Sequence, residues 1–71
     1  MPTHCDICFK PLRDQQCYYD CKTNSRAGYD GAWAFLCPEC FRTFGSNPWT
    51  KHDVKSGKTI GRCNLADRLE L

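Results

Sequence analysis

Three features of this 71-residue sequence predict a small α+β domain stabilised by a metal ion. Two Cys-x-x-Cys motifs, Cys5–Cys8 and Cys37–Cys40, flank a segment long enough for a β-hairpin. The second motif opens a stretch with the composition of a short helix. The chain is also too short to fold easily on hydrophobic burial alone, because a domain of this size buries only about 60% of the surface its unfolded chain exposes.

The two cysteine motifs predict one zinc ion as a cofactor. Zinc prefers four tetrahedral ligands, and a two-residue spacer lets both sulfurs of a motif face one point. A structural zinc contributes about 10–16 kcal/mol of apparent binding free energy to folding, which is comparable to the whole stability of a typical domain. We therefore expect Cys5, Cys8, Cys37 and Cys40 to bind the metal.

The segment between the motifs predicts a β-hairpin. Residues 15–21 are rich in β-favouring aromatic residues, and residues 22–31 form a polar stretch with two glycines, as in a connecting loop. Residues 32–36 predict the partner strand, in which Trp33 and Phe35 share one face. We expect Trp33 and Phe35 to pack in the core and not to bind a ligand.

A short helix is predicted over residues 37–45. Pro38 suits a first helical turn, and Gly45 provides a natural end. Phe41 and Phe44 lie three residues apart, so both can face the hairpin.

These elements predict a core domain over residues 1–45 and an arm over residues 46–71 that packs on the same domain. We call the turn that carries a Cys-x-x-Cys pair a knuckle. A knuckle, a hairpin and a helix bearing the second knuckle are treble-clef-like, and a plain zinc ribbon, which lacks the helix, is the alternative. Gly57 and Gly61 each cost about 1 kcal/mol in a helix, so we expect an irregular basic arm, then a short C-terminal helix over residues 64–71.

The arm supplies the candidate partner-binding residues. Its cations recur every three or four residues and could contact a phosphate backbone while a tryptophan stacks on a base. Its apolar side chains could instead dock on a protein. The residues are Trp49, Lys51, Lys55, Lys58, Arg62, Leu65 and Leu69.

Three further cysteines, with one histidine, could form a second metal site or a redox pair. They are Cys17, Cys21 and Cys63, with His52. If residues 17–21 form a strand, the Cα atoms of Cys17 and Cys21 lie about 13 Å apart, which is too far for a shared metal. Thiols that pack as small hydrophobic groups are the simpler interpretation.

Composition narrows the functional classes. No run of 18 apolar residues could span a membrane. The odd number of cysteines, seven, and the lack of an apolar signal segment after Met1 argue against a secreted disulfide scaffold and favour the cytoplasm. The formal charge of +2 falls to zero once four thiolates bind a dication, so any binding of nucleic acid depends on local clusters of cations.

Several short patterns resemble a group of small phage-encoded zinc-ribbon-like proteins. They are Cys5-Asp6-Ile7-Cys8, Tyr19-Asp20-x-x-Thr23 and Gly31-Ala32-Trp33-Ala34-x-x-Cys37-x-x-Cys40-Phe41. The resemblance covers residues 5–45 and implies a phage or prophage origin and a four-cysteine zinc site. It implies no activity, and the chain departs from the pattern after Gly45.

We therefore expect a non-catalytic zinc module that binds and modulates a host macromolecule. Four cysteines fill the coordination sphere, and the motifs of zinc hydrolases and deaminases are missing, so we expect neither an enzyme nor a small-molecule substrate. A charge near zero favours a host protein as the partner. The alternatives are a DNA- or RNA-binding protein that uses residues 51–62, and a thiol-based metal buffer or redox sensor.

Overall fold

The computed structural model describes residues 1–28 and 31–63, which form a small α+β structure. Four strands form one antiparallel sheet in the order β2-β1-β3-β4. The elements are a 3-10 helix (Leu12–Asp14), β1 (Cys17–Thr23), a second 3-10 helix (Ser25–Ala27), β2 (Trp33–Leu36), α1 (Pro38–Phe44), β3 (Gly45–Asp53) and β4 (Thr59–Cys63). The predicted α+β class is confirmed, and the C-terminal helix expected over residues 64–71 lies outside the described residues.

The expected hairpin forms from β1 and β2, although β1 ends later than predicted. Tyr19 lies opposite Leu36, and Lys22 lies opposite Trp33. β1 continues to Thr23, whose N–H and hydroxyl both donate to the carbonyl of Ala32, at 2.8 and 3.1 Å. Local composition around Thr23 does not reveal this partner, because Ala32 lies nine positions away, just before β2.

The helix α1 follows the sequence prediction, but Gly45, the residue that follows it, does not end it in the expected way. The N–H of Gly45 donates to the carbonyl of Phe41, and Gly45 has an extended backbone with φ −76° and ψ 152°. This differs from the left-handed conformation that commonly ends a helix. A Cβ at this position would lie 2.7 Å from the carbonyl oxygen of Phe41, so glycine lets the chain pass directly from α1 into β3.

Much of the core lies between α1 and one face of the sheet, and Tyr18 is buried on the other face. The ring of Phe41 stacks on Tyr19 with centroids 3.8 Å apart, and Trp49 contacts both rings edge-on. Cys21 and Leu36 are fully buried. Trp49 is half-buried in this cluster, which gives it a role in packing the helix on the sheet.

The expectation that Trp33 and Phe35 lie in the core is wrong. The two side chains share a face, but they are 59% and 36% exposed. Their face is opposite to α1, because Tyr18 contacts Phe35 while its neighbour Tyr19 packs on the helix. The short strand β2 buries its smaller alternate pair, Ala34 and Leu36, instead.

Residues 45–63 form a β-hairpin and not the irregular arm that we expected. β3 pairs with β1 on one side and β4 on the other. Asp53 shapes the turn, because its Oδ2 accepts hydrogen bonds from the N–H and the hydroxyl of Ser56, at 2.9 and 3.0 Å. Both hydrogen bonds lower the pKa of the Asp53 carboxyl, and the bond from the backbone N–H has the larger effect. Gly57 completes the turn with φ +75°.

No helix in the described part of the chain has the length and apolar character that a bilayer crossing requires.

Candidate metal centre

The structure brings together the four cysteines that the sequence predicted as metal ligands. The Sγ atoms of Cys5, Cys8, Cys37 and Cys40 all lie within 4.8 Å of one another. The Sγ atoms of Cys8 and Cys37 are 3.7 Å apart. Tetrahedral thiolates at about 2.3 Å from a metal would be about 3.8 Å apart. The cluster therefore could hold one metal ion, enclosed by three buried cysteines, with Cys8 exposed.

The first knuckle is a tight turn closed by its own backbone. The N–H of Cys5 donates to the carbonyl of Lys10 at 2.9 Å, and the N–H of Phe9 donates to the carbonyl of Cys5 at 3.0 Å. Phe9 has φ +64°, a conformation that bulky residues rarely adopt. The N–H of Ile7 points at the Sγ of Cys5, with an N···S distance of 3.5 Å. Such a bond stabilises a thiolate over a neutral thiol.

The second knuckle is the start of α1. Cys37 is the N-cap residue, and its Sγ accepts a hydrogen bond from the N–H of Cys40 at 3.5 Å. Pro38 occupies the first helical turn, where the lack of an N–H costs nothing. The same sulfur therefore caps the helix and faces the other three cysteines.

Asp6 joins the first knuckle to the sheet, a role that no local sequence pattern predicts. Its N–H donates to the carbonyl of Phe35 at 2.9 Å, and its Oδ2 accepts from the N–H of Phe35 at 2.8 Å. Because β2 leads directly into the second knuckle, this pair of bonds fixes the distance between the knuckles. An exposed ion pair between Lys10 and Glu39 also links them.

The surroundings of the sulfurs change their proton affinities in opposite directions. Burial raises the pKa of Cys5, but backbone hydrogen bonds outweigh it and lower the pKa to about 7. Burial raises the pKa of Cys37, and burial together with hydrogen bonds among the sulfurs raises that of Cys40. In the metal-free chain, Cys37 and Cys40 therefore hold protons at neutral pH, and an incoming metal has to displace them.

The residues offered as a second metal site do not come together in the described part of the chain. On β1, Cys17 lies opposite Asp53, and Cys21 lies opposite Trp49. Cys63 lies on the far side of Trp49, so its Cα is two strand spacings, about 10 Å, from that of Cys21. His52 lies opposite Tyr18 and stacks on its ring. Within residues 1–28 and 31–63, these side chains form no metal-binding cluster.

The four cations proposed for partner binding spread over the β3–β4 hairpin. Lys51 lies on the α1 side of the sheet, with its Nζ 5.8 Å from the ring centroid of Tyr19. Arg62 on β4 pairs with Thr50 on β3, and both residues lie on the sheet face opposite to α1. Lys55 and Lys58 are exposed in the turn. Leu65 and Leu69, the apolar candidates, fall outside the described residues.

Comparisons with protein-family models, with curated proteins and with solved structures found no match to this chain. The fold and the site therefore define its class: a small α+β protein whose four clustered cysteines could hold a metal ion. The resemblance to phage-encoded zinc-ribbon-like proteins stays a prediction from the sequence.

Proposed function

We propose that this chain is a zinc-binding module that acts by binding another macromolecule and not by catalysis. The observation that carries this proposal is the convergence of four sulfurs from two distant knuckles. Four sulfurs in tetrahedral positions favour zinc or iron among the common metals. The zinc would complete a treble-clef-like core in which the first knuckle, the β1–β2 hairpin and α1 surround the metal.

The donor set supports a structural and not a catalytic role for the metal. A catalytic zinc keeps one coordination position open for water or substrate, whereas four thiolates occupy all four positions. Three of the four cysteines are buried, which leaves a substrate little access to the metal. The metal would then serve to hold the fold, because small domains commonly gain much of their stability from such a cross-link.

Binding is the activity that the remaining surface supports. The β3–β4 hairpin carries four cations, while Asp53 is its one carboxylate and is occupied by Ser56. This local positive charge favours binding of an anionic partner, even though the net charge of the zinc-loaded chain is close to zero. The sequence favoured a host protein because of the near-zero charge and assigned the contact to Trp49, Leu65 and Leu69; of these, Trp49 is half-buried and the two leucines lie outside the described residues.

The thiol-buffer alternative receives less support from the described residues. Burial raises the pKa of Cys21 to about 12, so this thiol is almost entirely protonated at neutral pH. Thiolates, and not thiols, react with oxidants and bind metals. Cys17 and Cys21 also lie four positions apart on one strand, which separates their sulfurs.

Metal analysis of the purified protein, combined with chelation, tests the proposal. We expect one zinc per chain, a colourless sample, and loss of the near-ultraviolet circular dichroism of the aromatic cluster when a strong chelator removes the metal. Readdition of zinc should restore the signal. Tertiary structure that survives complete chelation, or a coloured iron-containing sample, would overturn it.

A further inference from the structure

The sheet face opposite α1 is partly uncovered and carries aromatic and cationic side chains. We call it the open face and define it by Tyr18, Lys22, Trp33, Phe35, His52 and Arg62. Trp33 and Phe35 are 59% and 36% exposed on it. Neighbouring exposed aromatic side chains on one sheet face are a candidate interaction surface.

The rings of the open face support one another across three strands. Tyr18 contacts Phe35 edge-on, with centroids 6.2 Å apart and planes at 62°. On its other side, Tyr18 stacks with His52, with centroids 5.0 Å apart and planes at 22°. Tyr18 itself is only 6% exposed. It therefore acts as a support that holds the exposed ring of Phe35 in place.

Positive charge accompanies the exposed rings. The Nζ of Lys22 lies 5.5 Å from the ring centroid of Trp33. Arg62 is exposed on β4 at the opposite edge of the sheet, and Lys55 and Lys58 continue the positive charge into the β3–β4 turn. Among the residues that the structure describes, Asp20 is the one carboxylate that the strand register places on this face, opposite Phe35 and Thr50, and it is half-buried.

We propose that the open face binds single-stranded nucleic acid, with bases stacked on Trp33 and Phe35 and phosphates contacting Lys22 and Arg62. Flat aromatic surfaces beside cations are what unpaired bases on a charged backbone require, and stacking of this kind is tolerant of sequence. A duplex would not fit, since its bases are already stacked on one another. The charge complementarity favours a polyanion over an uncharged protein surface or a second copy of this basic face.

This inference rests on the proposed zinc module for its folded scaffold, and it moves the binding surface from the arm to the whole sheet. The sequence-based alternative placed nucleic acid on residues 51–62. The structure adds strands β1 and β2 to that surface, and β2 supplies both exposed rings. The turn residues Lys55 and Lys58 then act at its edge.

Titration of fluorescein-labelled oligothymidylate and oligouridylate into the zinc-loaded protein, followed by anisotropy, tests the surface. We expect saturable binding that weakens steeply as salt increases. Trp33→Ala should weaken binding about tenfold or more, because one lost base stack has an effect of this size. The matched control is Phe9→Ala, which removes a 70% exposed ring outside the open face and should leave binding unchanged.

Charge reversal separates the open face from the α1 side of the molecule. Arg62→Glu should weaken binding, whereas Arg42→Glu, an exposed position on α1, should change it far less. A direct readout comes from the Trp49→Phe variant, in which Trp33 is the one remaining tryptophan. Its fluorescence should be quenched as bases stack on the ring.

Several results would overturn the inference. These are no binding by the zinc-loaded chain, equal binding by Trp33→Ala and wild type, or equal affinity for duplex DNA of the same length. A dimer in sedimentation that Trp33→Ala dissociates would assign the face to contact between two copies instead. Each sample is checked for one zinc per chain. A zinc-loaded, folded protein that fails to bind contradicts this inference alone, whereas a wild-type chain without zinc contradicts the proposed function.

Discussion

Cys8 and Cys37 are 29 positions apart in the chain, yet their Sγ atoms lie 3.7 Å apart. The β1–β2 hairpin carries the chain away from the first knuckle and back again. The hydrogen bonds between Asp6 and Phe35 then fix the returning strand beside it. Because each knuckle supplies half of a tetrahedral donor set, a bound metal would act as a cross-link between the two ends of the core.

Replacement of one ligand should therefore remove both the metal and the fold. Cys37→Ser deletes a thiolate and also the sulfur that caps α1. We expect less than one zinc per chain and no cooperative thermal transition, since the lost metal contributes about 10–16 kcal/mol. Metal analysis and circular dichroism measure the two effects.

Cys17→Ser provides the control for Cys37→Ser. Cys17 is a half-buried cysteine on β1 outside the cluster, so this variant should keep its zinc and its transition. A Cys37→Ser protein that binds zinc and melts like the wild type would refute the cross-link.

Metal affinity should fall as the solution becomes more acidic. Cys37 and Cys40 have raised pKa values in the metal-free chain, so both carry protons at neutral pH, whereas the metal binds thiolates. For each proton that the metal displaces, the apparent dissociation constant rises about tenfold when the pH falls by one unit. Two displaced protons therefore weaken binding by at least about 100-fold per pH unit. The direction is weaker binding, and thus lower stability of the loaded protein, at lower pH.

Competition with a chelator of known affinity, between about pH 7.5 and 6.5, measures this dependence. The chelator's own proton binding is corrected from its known pKa values. A zinc affinity that stays constant across this range would show that the four sulfurs are already thiolates without the metal.

The contact of α1 with the sheet depends on Phe41. Its ring stacks on Tyr19 and meets the edge of Trp49, and it is half-buried. We expect Phe41→Ala to lower the free energy of unfolding of the zinc-loaded protein by about 2–3 kcal/mol, toward the low end for a phenylalanine truncation. Urea denaturation at saturating zinc gives the value.

The exposed Phe9 serves as the comparison for Phe41. Phe9→Ala should change the free energy of unfolding by less than about 0.5 kcal/mol, as exposed substitutions commonly do. If the two truncations have equal effects, the stacking of Phe41 on Tyr19 does not hold the helix.

Asn24 connects the β1–β2 loop to the end of α1. Its Oδ1 accepts from the N–H of Arg26 at 3.0 Å, and its Nδ2 donates to the carbonyls of Thr43 and Gly45, at 3.0 and 3.4 Å. Asn24→Ala should lower stability by about 1–2 kcal/mol, through the lost cap and the unpaired carbonyls.

Asn24→Asp separates the two roles of this side chain. The carboxylate keeps the acceptor for Arg26 but cannot donate to the carbonyls of Thr43 and Gly45. We expect urea denaturation to show Asn24→Asp no more stable than Asn24→Ala. Wild-type stability in the aspartate variant would mean that the cap alone matters.

Local patterns predicted the features that carry a short sequence signature. The helix over Pro38–Phe44 follows from Pro38 and the phenylalanine spacing, and the four cysteines follow from their two-residue spacers. The hairpin β3–β4 had a signal as well, since a polar turn with Gly57 separates two β-compatible runs. The lysine spacing of three to four residues obscured that signal.

Other features were beyond the reach of local patterns. Alternation in β2 showed that Trp33 and Phe35 share a face, but it could not show which face of the sheet α1 would cover. The role of Asp6 depends on a backbone 29 positions away. Neither feature has a local sequence signature, because both depend on which elements meet in space.

The sequence by itself determined the chemistry of the chain: four thiols in two closely spaced pairs that could bind one metal ion, and a basic segment over residues 51–62. The tertiary structure alone decided which side chains are buried and which are exposed to solvent. The physical reason is that a strand fixes the alternation of its side chains locally, whereas burial of one face depends on the helix that packs against it. Here Phe41 of α1 packs on Tyr19, so the helix covers that face of the sheet. Trp33 and Phe35 are on the opposite face and remain in contact with solvent.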